Sequence, residues 1–181
     1  KGHDGQVGLF CVGDGETYNV PVEMAETRYG IRVDEHSLHT DGAGAGEYRG
    51  GSGAVRVYRS MNENQTFTAS FGRNKWPVWG AAGGKDGSVN YFQFIDADGT
   101  VSEPMGIAAR RVMNTNDVVR MVTATGGGYG NPFKRPAEKV AMDVKNEYIT
   151  VEQAKADYGV LVDPETFKVL GLTEERQKAE K

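Results

Sequence analysis

The stretch Gly44-Ala-Gly-Glu-Tyr-Arg-Gly-Gly-Ser-Gly53 places five glycines within ten residues and is the first of four glycine-centred blocks in this chain. The other three are Trp76-Pro-Val-Trp-Gly-Ala-Ala-Gly-Gly84, Lys85-Asp-Gly87 and Gly126-Gly-Gly-Tyr-Gly-Asn-Pro132. Glycine adopts positive φ without steric cost, so each block marks a place where the backbone turns sharply or approaches another group closely. With 25 glycines in 181 residues, the chain has many such turns, which is typical of β structure.

Between the glycine blocks lie short segments that alternate apolar and polar residues or are rich in branched and aromatic ones. We interpret these segments as strands over residues 31–38, 54–59, 66–71, 89–95, 108–112 and 117–124. Because the strands come first and the helices follow, the sequence predicts an α+β fold and not alternating βαβ units. We expect a mainly antiparallel β architecture, either a sandwich or a partly open barrel, followed by a short helical C-terminal tail.

The character of the sequence changes at Asn131. Pro136 is placed to open a helix, and apolar residues follow at helical spacing, at positions 137, 140, 141, 144 and 148. Thr150 and Gln153 form a capping box for a second short helix, which Gly159 ends. We also expect a helix over 21–29, strands over 160–162 and 167–170, and fraying of the last nine residues. The prediction is a β-rich domain over 1–130 and a helical appendage over 131–181, packed on the same domain.

The composition excludes several classes of protein. A formal net charge of −4 argues against nucleic acid or an anionic membrane as the main partner. Cys11 is the only cysteine, so no intrachain disulfide forms, which fits a reducing cytoplasm. No apolar run approaches the ~18 residues that span a bilayer, and no signal-peptide pattern is present. Because the chain begins at Lys1 within a glycine-rich loop, we expect it to be the C-terminal piece of a larger protein.

The glycine blocks do not match nucleotide-binding signatures. A dinucleotide fingerprint needs Gly-x-Gly-x-x-Gly between a strand and a helix, but Arg49 stands where the third glycine would fall. Gly84-Lys85 is followed by Asp86, not by the Ser or Thr of a P-loop. Gly126, Gly127 and Gly128, with Tyr129, are able to form a nest of backbone N–H groups for an anion. We favour a turn between the last strand and the first helix, because turns demand the same residue.

Arg49 and the tryptophans complete the set of candidate contacts. The fork of the Arg49 guanidinium, beside Gly50 and Gly51, suits a carboxylate or a phosphate, although we favour a structural salt bridge that pins the loop. Trp76 and Trp79 either plug a core or anchor a partner surface, and the sequence leaves both readings open. The candidate ligand or interface contacts are therefore Arg49, Gly50, Gly51, Trp79, Gly126, Gly127, Gly128 and Tyr129.

No metal or catalytic site is visible in the sequence. His36 and His39 lie three residues apart on a predicted strand and would point to opposite faces, so we predict no metal site there. Glu23 and Glu26 would share a helix face, which is typical of a solvated surface or of a helix N-terminus. Cys11 lies in an apolar run, where a thiol is usually inert. No Ser/His/Asp or Cys/His set with a local signature appears, and we assign no catalytic residue.

The linear order of the motifs resembles the C-terminal part of the hydantoinase B/5-oxoprolinase family. The match covers nearly the whole chain and rests on six blocks in the same order. These blocks are Gly13-Asp-Gly-Glu-Thr-Tyr-Asn-Val-Pro-Val-Glu-Met-Ala-Glu26 with Arg28-Tyr29, the block 44–53, Trp79-Gly-Ala-Ala-Gly-Gly84, the Asp98-Gly99 hairpin, Thr125-Gly-Gly-Gly-Tyr-Gly-Asn-Pro132, and the tail Val144–Ala154 followed by Asp157-Tyr-Gly-Val160.

The resemblance implies a partner and a reaction class. B-type subunits of this family work with an A-type subunit, an actin-like ATPase that activates the substrate by phosphorylation with ATP and magnesium. The expected reaction is ATP-dependent opening of a hydantoin, 5-oxoproline or lactam ring. The alternatives are ketone carboxylation of the acetone or acetophenone type, and a non-catalytic assembly module that docks the A-type subunit. In carboxylase-like members a divalent metal site of His and Asp lies in the N-terminal part of the subunit. We therefore expect no cofactor in this chain.

Overall fold

A computed structural model of the chain describes residues 2–6 and 20–179. The helices are α1 (Val22–Tyr29), α2 (Ala137–Lys145), α3 (Val151–Tyr158) and α4 (Glu174–Ala179), and a 3₁₀ turn spans Pro132–Lys134. The strands are β1 (Ile31–His39), β2 (Gly53–Ser60), β3 (Gln65–Ser70), β4 (Tyr91–Ile95), β5 (Ile107–Met113), β6 (Val118–Val122), β7 (Val160–Val162) and β8 (Val169–Leu172). Cys11 and the apolar run around it lie outside the described residues.

The predicted α+β class is confirmed, with antiparallel strands followed by short helices. One sheet has the strand order β1-β2-β6-β4, and two two-stranded sheets, β3-β5 and β7-β8, complete the strands. All these pairings are antiparallel. The part of the chain that the structure describes contains no closed barrel.

The β3-β5 pair packs on one face of the four-stranded sheet through aromatic side chains. The Phe67 ring lies edge-on to Phe92 and Phe94, with centroid separations of 5.6 and 5.5 Å. Phe92 and Phe94 alternate along β4 with residues of the opposite face, as a strand requires. Such edge-to-face contacts add to the burial of apolar area, so they fix the pair against the sheet.

The C-terminal helices form where the sequence predicts them, although α2 ends at Lys145 and leaves Tyr148 outside the helix. The capping box is present: the Gln153 amide donates to Thr150 Oγ1 at 3.1 Å, and the Thr150 amide donates to Gln153 Oε1 at 2.8 Å. Gly159 ends α3 in the left-handed conformation, with φ of 63°. The expectation that the last nine residues fray is wrong for α4, because Arg176 is buried there. Its guanidinium donates to the carbonyls of Tyr158 and Arg135, at 2.9 and 2.8 Å.

The helices of the described residues are short. None of them is long and apolar enough to cross a membrane. Their apolar side chains cluster around Val140, Ala154, Tyr158 and Val160, and Ala45 from the first glycine block belongs to the same cluster. The helical part therefore packs against the glycine blocks, where the candidate site lies.

Candidate functional site

The glycine blocks converge into one compact unit, which we call the glycine core: Gly44, Gly50, Gly51, Gly84, Gly126, Gly127 and Gly128. The Gly44 amide donates to the Gly126 carbonyl at 2.9 Å, and the Gly126 amide donates to the Gly51 carbonyl at 2.8 Å. On the 76–87 block, the Lys85 carbonyl accepts from the Gly128 amide at 2.9 Å. Segments that are distant in sequence thus meet through their backbones.

Close backbone approach explains why these positions are glycine. A Cβ added at Gly50 would clash with the Gly126 carbonyl, one at Gly127 with the Trp79 carbonyl, and one at Gly128 with the Ala45 carbonyl. Any side chain at these positions would push the blocks apart. The glycines are therefore needed for backbone packing, whatever else the core does.

Four of the five amides of the 126–130 segment are engaged inside the core. Those of Gly126 and Gly128 donate as described above, the Tyr129 amide donates to the Tyr48 carbonyl at 3.0 Å, and the Gly130 amide donates to the Ala81 carbonyl at 2.9 Å. These four donors point at carbonyls and do not form a cradle for an anion. The segment connects β6 to the 3₁₀ turn at Pro132–Lys134.

Arg49 belongs to a buried charge network behind the glycine core. Only 4% of Arg49 is exposed, its Nε lies 3.6 Å from Asp143 Oδ2, and its guanidinium stacks 4.3 Å from the centre of the Tyr148 ring. Arg135 Nη2 lies 2.8 Å from the same oxygen of Asp143. Asp4 closes the network by accepting from the Arg49 amide at 2.9 Å and from both Nη atoms of Arg135. The network joins residues 2–6, the first glycine block and α2.

The buried environment shifts the acids of this network in opposite directions. Burial raises the pKa of Asp143, although Arg135 and Arg49 counteract it. Burial also acts to raise the pKa of Asp4, but hydrogen bonds from Arg135 and from the Arg49 amide outweigh it and lower that pKa. Burial raises the pKa of Tyr158 to about 12, so the phenol stays neutral at physiological pH. The acidic group that faces Arg49 is thus Asp143 of the same chain.

The tryptophans lie on the surface. Trp76 is 77% exposed and Trp79 is 68% exposed, so neither ring fills the core that the described residues form. The Arg73 guanidinium stacks 5.1 Å from the centre of the Trp79 ring. Tyr129, 53% exposed, lies beside this block because its backbone pairs with Ala81.

The other candidate groups do not assemble into a reactive set. His36 and His39 both lie on β1, where His39 Nδ1 is 2.8 Å from the Thr123 carbonyl oxygen. Glu26 Oε1 accepts from the Val33 amide at 2.9 Å, which ties α1 to β1. Across residues 2–6 and 20–179, no three His, Cys, Asp or Glu side chains are grouped closely enough to hold a metal ion.

An apolar cavity of about 580 Å³ lies between α1, the sheet and β3. It is large enough for a small ligand, and most of its lining surface is apolar. Of its charged side chains, Arg59 already pairs with Asp34 at 2.6 Å. The cavity offers shape and not a set of reactive groups. Its lining consists of Val20, Val22, Ala25, Tyr29, Ile31, Val33, Arg56, Tyr58, Arg59, Ser60, Gln65, Thr66, Phe67, Met113 and Val119.

Sequence reasoning brought together the right loops but missed the partners of Arg49. All eight predicted contact residues lie in or beside the glycine core, whereas Arg135 and Asp143 were not singled out. One signal was available: Asp143 lies next to Val144 within an apolar stripe of α2, and a charge in such a stripe calls for a buried counter-charge.

Comparison with known proteins identifies the family. The sequence model described as hydantoinase B/oxoprolinase matches residues 1–132. The B-type subunit of the putative D-/L-hydantoinase of Pseudomonas sp. (strain NS671) is 32% identical over 148 residues, which cover 81% of this chain and 25% of that protein. The beta chain of the caprolactamase of Pseudomonas jessenii is 30% identical over 158 residues, covering 78% and 25%.

Solved structures have the same fold. The ATP-dependent caprolactamase from Pseudomonas jessenii superposes with a TM-score of 0.68 at 29% identity, covering 88% of this chain and 27% of that one. The nucleotide-free structure of acetone carboxylase gives a TM-score of 0.76 at 17% identity, covering 98% and 28%, and shows the fold alone. The chain belongs to the hydantoinase B/oxoprolinase family. It spans about a quarter of the length of the curated relatives it matches.

Proposed function

We propose that this chain is part of a B-type subunit of an ATP-dependent cyclic-amide hydrolase, which opens a hydantoin, 5-oxoproline or lactam ring. One observation carries the proposal: two relatives at 30% identity or more are named as a hydantoinase subunit and a caprolactamase subunit. Both names denote opening of a cyclic amide. A protein from Pestalotiopsis fici, 26% identical over 120 residues, is named a 5-oxoprolinase, after a ring of the same chemical class.

The second candidate is a subunit of an ATP-dependent ketone carboxylase. The fold similarity to acetone carboxylase supports it, because that superposition covers 98% of this chain. At 17% identity, however, the similarity supports the fold and carries little weight for the substrate. Hydrolysis of a cyclic amide therefore remains the first proposal.

Within such an enzyme, we assign this chain the role of a rigid wall and docking module. Support comes from the glycine core, where amides and carbonyls satisfy one another, and from Arg49, whose charge is balanced by Asp143. Groups that are paired internally are not free to act on a substrate. The reacting residues would then come from the larger part of the subunit, including the divalent metal site proposed for its N-terminal part.

The proposed partner is an A-type subunit of the actin-like ATPase class, which would bind ATP and magnesium. Two relatives are named as subunits, B and beta, and such names imply companion subunits in their enzymes. We propose that the assembly lies in the cytoplasm, where ATP is available and the environment is reducing. The single cysteine of this chain fits such a compartment.

The test is to produce the full-length subunit together with its A-type partner and to supply hydantoin, 5-oxoproline and caprolactam with ATP and magnesium. The proposal predicts that at least one ring is opened, that the acid product accumulates only with ATP, and that neither subunit alone suffices. Absence of ring opening for every cyclic amide, in a complex that hydrolyses ATP, would contradict it.

A further inference from the structure

Three exposed aromatic side chains lie on segments whose backbones meet beside the glycine core: the Trp79 carbonyl lies against Gly127, and Ala81 pairs with Tyr129. We call Trp76, Trp79 and Tyr129 the aromatic surface; their exposed fractions are 77%, 68% and 53%. Trp76 and Trp79 are the only tryptophans of the chain. Isolated exposed apolar residues are common, but neighbouring large aromatic side chains on one surface are typical of a binding site.

The backbone beneath the aromatic surface is held firmly. The Gly87 amide donates to the Val78 carbonyl at 2.8 Å, and the Gly80 amide donates to Asp86 Oδ1 at 2.8 Å. The Trp79 carbonyl lies against Gly127, where an added Cβ would clash with it. A loop whose backbone is already fixed loses little conformational entropy on binding.

A cation, the guanidinium of Arg73, lies beside the same surface. Arg73 has φ of 52°, a conformation that costs energy for a non-glycine residue. Its carbonyl accepts from the Asn90 amide at 3.1 Å, and the Asn90 side chain donates to the Gly72 carbonyl at 2.6 Å. These bonds fix the backbone at Arg73. Its guanidinium lies 5.1 Å from the centre of the Trp79 ring, where the ring face attracts a cation.

The charge of the surface indicates the chemistry of its partner. In the described part of the chain, neither Arg73 nor Lys75 has a carboxylate within ion-pair distance. By contrast, Lys85 is paired with Asp157 at 2.5 Å. In a symmetric dimer whose two-fold axis passes through the aromatic surface, Arg73 and Lys75 of one copy would lie close to Arg73 and Lys75 of the other. The repulsion between these cations disfavours self-association.

From these observations we infer that the aromatic surface docks a separate subunit of the assembly, through an apolar recess rimmed by carboxylates. The recess would receive Trp76 and Trp79, and the carboxylates would pair with Arg73 and Lys75. Trp, Tyr and Arg are the residues that most often dominate interface energetics. That the occupant is a separate subunit rests on the proposed function, because this inference uses the subunit names of the relatives.

The test measures assembly of the full-length subunit with its A-type partner, without substrate. The double variant Trp76→Ala/Trp79→Ala should raise the dissociation constant at least about 30-fold, the loss expected from hot-spot tryptophans. Arg73→Gln/Lys75→Gln should slow association and remove most of its salt dependence. The control Leu170→Ala removes an equally exposed apolar side chain, 67% exposed on β8, and should change neither quantity. Circular dichroism and thermal melting should match wild type, because the altered side chains are exposed.

Photo-crosslinking identifies the occupant directly. A benzophenone amino acid at position 76 should crosslink to the separate subunit, near acidic residues. Crosslinks confined to the same polypeptide or to a second copy would overturn the inference, as would variants that assemble within twofold of wild type. If wild type forms no complex with any separate subunit, the proposed partner fails and this inference fails with it. If wild type assembles but the variants assemble equally well, only this inference fails.

Discussion

Arg135 and Asp4 lie 131 residues apart in sequence and form a two-point ion pair, with Nη1 2.6 Å from Oδ1 and Nη2 2.9 Å from Oδ2. Only 1% of Arg135 is exposed, whereas Asp4 is partly open to solvent. The pair ties residues 2–6 to the start of the helical part. This ion pair therefore holds the two regions together.

The first prediction concerns this pair. We expect Asp4→Asn to lower the free energy of unfolding by about 2 kcal/mol, because the buried Arg135 guanidinium loses a charged acceptor. Asp96→Asn is the matched control, since it removes a surface ion pair with Arg111, and should cost less than about 0.5 kcal/mol. Chemical denaturation of the full-length subunit measures both. Equal effects of the two substitutions would contradict the buried role of Asp4.

The second prediction concerns pH and the buried carboxyl of Asp143. Its pKa in the folded protein lies above the ordinary 3.8, so the folded state binds this proton more readily than the unfolded state. The contribution of Asp143 to stability is therefore largest below pH 3.8 and declines as pH rises through the raised pKa. We expect the advantage of wild type over Asp143→Asn to be larger near pH 4 than near pH 7. Denaturation curves at a series of pH values measure it.

Asp4 should show the opposite trend and serves as an internal comparison. Its pKa in the folded protein lies below the ordinary 3.8, so its stabilising contribution is present above that pH and is lost as pH falls through the lowered pKa. The advantage of wild type over Asp4→Asn should then shrink on acidification. If both variants followed the same trend with pH, the opposite shifts of the two acids would be wrong.

The third prediction tests why the glycine core is made of glycine. Gly128→Ala should lower the free energy of unfolding by at least about 2 kcal/mol, because its Cβ would clash with the Ala45 carbonyl. Gly72→Ala is the control: nothing lies near its added Cβ, and its effect should stay within about 0.5 kcal/mol. Thermal and chemical denaturation compare them. A Gly128→Ala variant as stable as Gly72→Ala would show that the blocks do not need their close backbone contact.

The fourth prediction separates a structural from a catalytic Arg49. Arg49→Lys loses the stack on Tyr148 and the bond from Nη1 to the Gly50 carbonyl. Because these contacts hold the first glycine block in place, we expect weaker assembly with the partner subunit. Turnover per assembled complex should stay near the wild-type rate. Native mass spectrometry gives the assembled fraction, and a product assay gives the rate. Lost turnover in a fully assembled complex would instead make Arg49 part of the reactive site.

Local features of the fold were predictable from the sequence. The capping box of Thr150 and Gln153, the end of α3 at Gly159 and the strand at Gly53–Ser60 all follow from short-range patterns. Such patterns act over a few residues and therefore leave a direct trace in the sequence. The helix α4 did not, because it depends on Arg176 reaching two distant carbonyls.

The candidate site was predictable only in part, for the same physical reason. Glycine blocks indicate that the backbone makes close contacts there, but they do not indicate which other segment of the chain it contacts. The bond between the Gly44 amide and the Gly126 carbonyl spans 82 residues, and the Asp4–Arg135 pair spans 131. The exposure of Trp76 and Trp79 was likewise a matter of packing, since the residue types fit a core and an interface equally well.

The dependence of ATP turnover on bicarbonate, measured on the full-length subunit assembled with its A-type partner, decides between the two proposed reactions. For a cyclic-amide hydrolase, we expect ATP to be consumed in fixed proportion to a ring-opened amide product, in buffer stripped of bicarbonate. ATP turnover that requires both bicarbonate and a ketone, and that is not stimulated by hydantoin, 5-oxoproline or caprolactam, would contradict the proposed hydrolysis and assign the protein to ketone carboxylation.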